Sequence, residues 1–218
     1  DIIRMLSINN FQRFHRIIIT SSTNPYLNLA KELDLLYNSN KKEKILYLWR
    51  NEPVVVIGKH QNPYKECNLE FMKEKNIKLA RRPTGGGAVY QDLGNTCWTF
   101  LDPKFEPQRT SQIIIDALKS LNVNANLTGR NDIVVDNKKI SGAAFRRLSD
   151  YSIHHGTMLI NVNMLNLTKS LSVDQSKLKS KGVDSVKSRV INLNEIFPSF
   201  THEKFCEAVI NAFQKNIF

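Results

Sequence analysis

The residues best suited to chemistry lie in one stretch, residues 81–95, which read RRPTGGGAVYQDLGN. Its centre is a run of consecutive glycines, Gly85, Gly86 and Gly87. Glycine tolerates positive φ and lets the backbone approach a ligand closely, and bare N–H groups in such a turn can converge on an anion. Arg82 adds a planar, permanently charged guanidinium that matches a carboxylate or a phosphate. We therefore interpret this stretch as the anion-binding centre of a ligand pocket.

Two common phosphate-binding motifs do not fit this stretch. It has neither the G-x-x-x-x-G-K-[ST] spacing of a Walker loop nor the G-x-G-x-x-G spacing of a dinucleotide fingerprint. From the glycines alone, the alternative is a hairpin turn beside two solvated arginines. The rest of the sequence must decide between a pocket and a turn.

Length and charge limit the classes of protein. A chain of 218 residues has room for one good-sized domain, or for one domain with a small appendage. Its 31 basic and 20 acidic residues give a net charge of +11, which predicts an acidic partner or a polyanionic ligand. A basic nucleic-acid-binding module is the non-enzymatic alternative. The lysines are scattered, however, and no nucleic-acid motif is recognisable.

The cysteines predict neither a disulfide framework nor a zinc site. Cys67, Cys97 and Cys206 have no CxxC spacing, and their number is odd. A reducing compartment is the natural inference. Cys97 stands beside Trp98 in a predicted strand, so we expect a buried thiol rather than a nucleophile. No apolar run approaches the length of a membrane span.

Strands and helices are predicted in mixed order, which indicates an α+β fold with a largely antiparallel sheet. β-branched and apolar runs predict strands over 16–21, 45–49, 54–57, 78–82, 96–101, 133–135, 139–144 and 153–162. Helical periodicity and capping residues predict helices after Pro25, over 69–75, 110–121, 165–171 and 176–181, and after Thr201. Residues 1–16 are predicted to be an N-terminal extension, and residues 17–218 a single domain.

Several further motifs accompany the glycine stretch: LWRN at 48–51, VVVIGKHQNPYKECN at 54–68, GRND at 129–132, KISG at 139–142, HHGT at 154–157 and residues 185–193. In order and spacing they resemble the lipoate–protein ligase and lipoyltransferase family, whose signature is R-R-x-[ST]-G-G-G-x-V-[FY]-H-D-x-G-N. The resemblance extends from Ile17 to Phe218. It implies the catalytic-domain fold of the biotin/lipoate ligase group, a mostly antiparallel sheet flanked by helices.

The resemblance also implies an activity. Family members activate lipoate with ATP to form lipoyl-AMP, with Mg²⁺ as the metal. They transfer the lipoyl group to a lysine of an acceptor lipoyl domain, in E2 subunits of 2-oxoacid dehydrogenases or in the H protein of glycine cleavage. The alternative within the family is a lipoyltransferase that uses preformed lipoyl-AMP or another acyl donor without ATP. Bacterial-type ligases continue into a small C-terminal domain, whereas this sequence ends at Phe218. Three alternatives follow: the sequence is a fragment, a separate accessory domain or chain supplies the rest, or the protein only transfers preformed lipoyl-AMP.

Lys139 is the catalytic residue that the resemblance implies. Its ammonium would bridge the lipoate carboxylate and the α-phosphate; from spacing alone it would be a solvated hairpin lysine. Arg82 would contact the phosphate or the carboxylate, while Arg81 would point to the opposite face. The remaining residues implied to bind substrate or nucleotide are Gly85, Gly86, Gly87, Ala88, Val89, Tyr90, Asn131, Asp132, Ser141, Gly142, Ala144 and His155.

Three polar positions carry separate expectations. Asp132 is either an Mg²⁺ ligand or a cap at the start of a strand, with equal support for each. Of His154 and His155, only one is expected to face the pocket. Gln91 stands where many family members have histidine; an amide cannot titrate, although it can hydrogen-bond.

Charge and composition give two expectations about partner and compartment. A basic surface would complement the acidic lipoyl acceptor domains and speed their encounter. The Asn- and Lys-rich composition and a first residue other than Met favour a mitochondrial protein, with a cytoplasmic one as the alternative.

Overall fold

A seven-stranded sheet and a three-stranded sheet form the framework of the protein. We describe a computed structural model that covers residues 15–129, 131–171 and 190–216. The strands are β1 His15–Ile19, β2 Lys44–Trp49, β3 Val54–Ile57, β4 Lys78–Arg81, β5 Val89–Gln91, β6 Asn95–Asp102, β7 Asn126–Thr128, β8 Asp132–Val135, β9 Lys138–Arg147 and β10 Ser152–Leu159. The helices are α1 Pro25–Asn38, α2 Pro63–Glu66, α3 Leu69–Glu74, α4 Pro107–Ser120, α5 Met164–Ser170, α6 Leu193–Ile196 and α7 His202–Lys215.

Antiparallel pairing dominates both sheets. The large sheet has the order β1-β2-β6-β10-β9-β8-β7, in which only β1 and β2 run parallel. In the small sheet β3 lies between β4, which is parallel to it, and β5, which is antiparallel. The prediction of an α+β fold with a mostly antiparallel sheet is confirmed.

Strand β6 separates two apolar cores because its side chains alternate between the faces of the large sheet. Trp98 and Phe100 belong to the core that α4 and α7 cover. Cys97 and Leu101 belong to the core between the large sheet, α1 and the small sheet. The small sheet therefore lies over one face of the large sheet, and the space between them is the place for a pocket.

Local sequence signals account for the element ends. Asn24 caps α1 by accepting from the backbone N–H groups of Tyr26 and Leu27, and Pro25 occupies the first turn. Thr201 caps α7 in the same way. Asp136 and Asn137 both have positive φ, 48° and 62°, and close the β8–β9 hairpin. Asparagine and threonine are favoured at helix N-termini, and aspartate and asparagine tolerate the positive φ of such a turn.

Some predicted boundaries differ from the structure. Helix α4 begins at Pro107 rather than at residue 110, because proline suits the first turn of a helix. Helix α2 was not predicted; Asn62 caps it and Pro63 opens it. The helix predicted over 176–181 lies outside the described residues. None of the described helices is long and apolar enough for a membrane crossing.

Packing explains why a glycine, Gly94, stands near the end of the signature stretch. Its carbonyl accepts from the N–H groups of Ile160 and Asn161, which joins the start of β6 to the end of β10. A Cβ at this position would lie 1.9 Å from the carbonyl oxygen of Asn161. Backbone contacts backbone here, so no side chain can move aside.

We expect Gly94→Ala to lower the free energy of unfolding by about 3 kcal/mol, because the new methyl group must push two strands apart. Urea denaturation measures this loss. Gly85→Ala is the matched control, since a Cβ at Gly85 meets nothing within 4 Å. Equal stability of the two variants would contradict the packing seen at Gly94.

Candidate active site

A cavity of about 360 Å³ lies between the two sheets. One group of lining residues comes from the glycine loop and the strands around it: Arg82, Gly86, Gly87, Ala88, Val89 and Gln91. A second group comes from the loop before β8 and from β8, β9 and β10: Asn131, Asp132, Lys139, Gly142, Ala143, Ala144, His155, Gly156 and Thr157. A third, mostly apolar group consists of Leu29, Trp49, Val56 and Cys97. Motifs that are far apart in the sequence therefore meet at one cavity.

Lys139 and Asp132 form an ion pair at this cavity, with 2.8 Å between Nζ and Oδ1. A register irregularity at Ile133–Val134 interrupts the pairing of β8 with β9. Lys139 then lies beside Gly142, where a Cβ would be 2.9 Å from the lysine Nζ. The glycine of the KISG motif therefore leaves room for the lysine side chain.

Arg82 holds the glycine loop from behind. Its Nη2 donates to the carbonyl oxygens of Gly85 (2.8 Å) and Gly87 (2.7 Å). Its Nη1 and Nε donate to the Val56 carbonyl and to the Thr84 hydroxyl. Since four hydrogen bonds engage this buried guanidinium, the structure gives Arg82 a role in positioning the loop that sequence analysis missed. Its contact with a ligand stays a prediction.

Arg81 faces away from the cavity, as the alternation of strand residues predicts. Its Nη1 donates to three carbonyl oxygens in the loop after β3, those of Gly58, Lys59 and Gln61. Gly58 touches the glycine loop so closely that a Cβ there would be 2.3 Å from the Gly86 carbonyl oxygen. The loop after β3 thus supports the glycine loop, and it is more than a plain connection.

A buried polar chain runs from α1 to the glycine loop. His155 Nδ1 lies 2.8 Å from Glu32 Oε1, and its Nε2 lies 2.7 Å from Thr84 Oγ1. Thr99 donates to the same Glu32 oxygen at 2.6 Å. A carboxylate only accepts, so Nδ1 donates to Glu32. Glu32 is fully buried and fixes the orientation of the imidazole.

Sequence analysis missed Glu32 because a glutamate in a helix usually faces solvent. One signal was available: residues three or four apart share a helix face, and Glu32 lies between Leu29 and Leu36 on the apolar stripe of α1. A charged residue on a buried stripe needs a partner, and His155 is that partner.

His154 and His155 point to opposite faces of β10, so the prediction that only one faces the pocket is confirmed. His154 contacts the Thr110 hydroxyl and packs edge-on against Trp98. Burial, with a smaller contribution from His155, lowers the pKa of His154 to about 3. This histidine is a neutral member of the core.

Cys97 lines the apolar part of the cavity, where its environment disfavours a thiolate. Burial, with the negative charge of Glu32 as a second cause, raises the pKa of the Cys97 thiol well above its usual range. An activated cysteine needs a neighbouring base or cation that lowers this pKa. The expectation of a buried strand cysteine is confirmed.

Three predicted contact residues do not line the cavity. The side chain of Tyr90 packs with Val55 and Ile57 in a third apolar cluster, since it alternates with Val89 and Gln91 along β5. Ser141 is fully buried opposite Ile133, on the core side of β9. Gly85 meets Arg82 through its carbonyl instead. The side chains of Tyr90 and Ser141 therefore lie outside the cavity wall, and the ligand contacts that the resemblance implies for these two residues stay predictions.

Asp132 uses its carboxylate for Lys139, at the first residue of β8. Within the described ranges, no cluster of three or more His, Cys, Asp or Glu side chains could hold a metal by protein ligands alone. Mg²⁺ often takes one or two carboxylates and completes its shell with substrate phosphates and water. A single carboxylate at the cavity fits that mode of binding, so the Mg²⁺ role of Asp132 stays a prediction.

Comparison with known proteins adds the deciding observation. The family model for the lipoyl protein ligase A/B catalytic domain matches residues 24–214. The chain belongs to this family. It is therefore homologous to lipoate–protein ligases, which are enzymes, and the resemblance drawn from the signature motifs is confirmed.

Two solved structures of lipoyl ligases are especially similar. LipL1 of P. falciparum, in complex with lipoate, has 40% identity and a TM-score of 0.81 over 93% of this chain and 62% of its own. The bipartite lipoate protein ligase of Thermoplasma acidophilum, solved in work on that ligase and its E2 lipoyl domain, has 27% identity and a TM-score of 0.83. That alignment covers 94% of this chain and 83% of the archaeal one. This chain spans about 62% of the length of LipL1.

A third structure, lipoate–protein ligase A bound with ATP, has 24% identity and a TM-score of 0.82. It covers 95% of this chain and 86% of its own. At this identity the likeness concerns the fold, and it agrees with the lipoyl ligase architecture of the sheets described above.

We expect Glu32→Ala to lower the free energy of unfolding by about 3 kcal/mol, because it leaves the His155 N–H and the Thr99 hydroxyl buried without an acceptor. Glu32→Gln keeps one acceptor oxygen and should lose less. Urea denaturation compares these variants with Glu207→Ala, an exposed glutamate on α7. A loss at Glu32 as small as that at Glu207 would contradict the buried chain.

Acid should destabilise this lipoyl ligase domain through His154 and His202, whose pKa values burial lowers to about 3 and about 4. Below pH ~6.5 the unfolded state binds protons that the folded state does not, so stability falls as pH falls. From pH 6.5 to 5 the slope should approach about 1.4 kcal/mol per pH unit for each histidine. His154→Gln should reduce this slope in urea titrations, and an unchanged slope would contradict the burial of His154.

Proposed function

We propose that this protein is an ATP-dependent lipoate–protein ligase. It activates lipoate to lipoyl-AMP and transfers the lipoyl group to a lysine of an acceptor lipoyl domain. The observation that carries the proposal is a single cavity with a lysine, an aspartate and a glycine loop on one part of its wall and apolar side chains on another. Such a cavity suits an acid with an apolar tail. The lipoate complex of LipL1, at 40% identity, supports the choice of acid.

The polar part of the cavity suits the activation step. A carboxylate oxygen bonds to the α-phosphorus of ATP, the bond to the leaving oxygen breaks, and pyrophosphate departs. Lys139 would neutralise the charge that both reactants bring, and the N–H groups of Gly86 and Gly87 would face phosphate oxygens. Positioning and charge neutralisation are the main needs of such a transfer, and these residues supply both.

The second step, transfer of the lipoyl group to the acceptor lysine, would use the same protein groups as the activation step. The ε-amine of the acceptor lysine bonds to the acyl carbon, AMP leaves with the electrons of the broken C–O bond, and the amine loses a proton. Lys139 would stabilise the departing phosphate. Mg²⁺ held by Asp132 and by phosphate oxygens would supply further charge neutralisation.

The apolar part of the cavity suits the acyl tail. Leu29, Trp49, Val56 and Val89 present apolar surface there. Burial of an eight-carbon chain against such a wall contributes about 0.8 kcal/mol per methylene group. Binding energy from this remote tail holds the carboxylate in place for the reaction.

The acceptor proposed here is an acidic lipoyl domain of an E2 subunit or of the H protein. The T. acidophilum ligase, solved in work that includes its E2 lipoyl domain, supports this class of partner. The net charge of +11 would steer an acidic domain to the surface. A mitochondrial location is proposed from composition, with the cytoplasm as the alternative.

A lipoyltransferase is the second candidate function, favoured by one observation. The archaeal relative is a bipartite ligase, in which more than one part makes the enzyme. If adenylation by the present protein likewise needs a second part, this chain alone would transfer preformed lipoyl-AMP without using ATP.

We expect Lys139→Ala to weaken the binding of lipoyl-AMP by about tenfold to a hundredfold, the worth of a hydrogen bond to a charged group. Lys139→Arg should also bind lipoyl-AMP more weakly than the unchanged protein, because a planar guanidinium does not replace a compact ammonium. Isothermal titration calorimetry with lipoic acid, ATP–Mg²⁺ and lipoyl-AMP measures each affinity. Lys138→Ala, the exposed neighbour, is the control that should bind as the unchanged protein does.

The pattern of binding separates the candidates. If the protein binds lipoyl-AMP and also binds ATP–Mg²⁺, the result supports the ligase. If it binds lipoyl-AMP but not ATP–Mg²⁺, the result supports the transferase. Binding of none of the three ligands would exclude both, and steep salt-dependent binding of DNA would then favour a nucleic-acid module.

A further inference from the structure

Three buried amide side chains, those of Asn28, Asn51 and Gln91, form a hydrogen-bonded series that ends at the cavity. Asn28 Nδ2 donates to Asn51 Oδ1 at 3.0 Å, and Asn51 Nδ2 donates to Gln91 Oε1 at 2.8 Å. All three residues are at most 5% exposed. The first two contribute nothing to the cavity wall, but Gln91 lines it.

Backbone groups fix the direction of this series. Asn28 Nδ2 also lies 2.9 Å from the carbonyl oxygens of Ser22 and Arg50, which can only accept. Its Oδ1 accepts from the Tyr47 hydroxyl. With the Asn28 amide oriented in this way, its Nδ2 shares two hydrogens among three oxygen atoms. A flipped Asn51 would set two donor groups against each other, so Asn51 turns its oxygen to Asn28 and donates to Gln91. The Gln91 oxygen is then engaged, and its Nε2 is the group left for the cavity.

The free end of the series lies beside the apolar part of the wall. Gln91 shares a face of β5 with Val89 and stands two residues further from the glycine loop. Its partner Asn51 follows Trp49 by two residues, and Trp49 and Val89 both belong to the apolar cluster around α1. In the part of the chain that the structure describes, no group accepts a hydrogen bond from Gln91 Nε2.

A donor in an apolar pocket discriminates between acyl tails. An alkyl chain offers no acceptor and leaves the N–H groups unsatisfied, at a cost in affinity. A dithiolane ring offers sulfur, a weak acceptor. We propose that Gln91 is a specificity-determining residue that favours a sulfur-bearing acyl group over an unsubstituted alkyl group of the same length. This inference rests on the proposed function, since it assumes that the acid binds with its tail beside Gln91.

The donor that Gln91 presents does not itself depend on pH. A histidine at the same position would gain or lose a proton near neutral pH, and its donor capacity would change with it. Gln91 keeps its donor throughout, because an amide does not titrate and Asn51 holds its oxygen.

Calorimetric titration with lipoic acid and with octanoic acid tests the proposal. We expect Gln91→Met, which keeps the shape but removes the donor, to lower the ratio of lipoate to octanoate affinity by about threefold to tenfold. The change should come from weaker lipoate binding. Gln112, an exposed glutamine of α4, provides the control variant Gln112→Met, which should leave the ratio unchanged.

A second variant changes the orientation of Gln91 without replacing it. The aspartate in Asn51→Asp can still accept a hydrogen bond from Asn28. It has no N–H group to donate to Gln91, so it can only accept from Gln91 as well. The Gln91 amide should then turn, donate Nε2 to the new carboxylate, and present its oxygen to the cavity. We expect the affinity ratio to fall as it does in Gln91→Met, because the donor is again lost.

Each result supports or overturns the proposal. An unchanged ratio in both variants overturns it, and so does equal weakening of both acids, which would mean that the amide contacts their shared carboxylate. If neither variant folds, the NMR signals of the Gln91 side-chain amide decide the question: they should shift with lipoate and not with octanoate, and equal shifts overturn the proposal. Failure of the unchanged protein to bind either acid overturns the proposed function itself, which is a different result.

Discussion

The geometry of the cavity depends on one buried guanidinium. Arg82 draws the carbonyl oxygens of Gly85 and Gly87 inward with two short hydrogen bonds. Three glycines in a row have little intrinsic preference for one conformation, so the shape of the loop must come from outside it. Arg82 is held in turn by Thr84, and Thr84 by His155. The large sheet, which carries His155, therefore fixes the conformation of the glycine loop through Thr84 and Arg82.

Buried hydrogen bonds also connect the two sheets. Glu32 on α1 and His155 on β10 meet across the apolar core, and their partners reach both the large sheet and the glycine loop. Buried polar groups of this kind are costly unless each finds its partner in a fixed geometry. They therefore favour one relative position of the two sheets, and that position leaves a cavity between them.

Sequence reasoning recovered the parts of this arrangement that are local. The glycine run indicated an anion-binding turn, and the motifs that carry the family resemblance, KISG among them, located most residues of the cavity wall. Sequence reasoning could not give what depends on pairing register. The side chains of Tyr90 and Ser141 lie in strands that border the cavity but face away from it, and the register shift at Ile133–Val134 cannot be read from composition. Sequence reasoning also missed Glu32 and Asn28, because partners that lie tens of residues away in sequence decide whether a polar helix residue is buried.

The neutral thiol of Cys97 has a consequence for redox chemistry. A cyclic disulfide is opened by thiolates, and the reaction leaves a mixed disulfide that would tie a dithiolane substrate to the protein. Burial raises the pKa of Cys97, and it raises those of Cys67 and Cys206 as well. A thiol kept protonated at the apolar wall is a poor nucleophile. Under the proposed function, the pocket would therefore hold a strained disulfide next to a cysteine without exchanging with it.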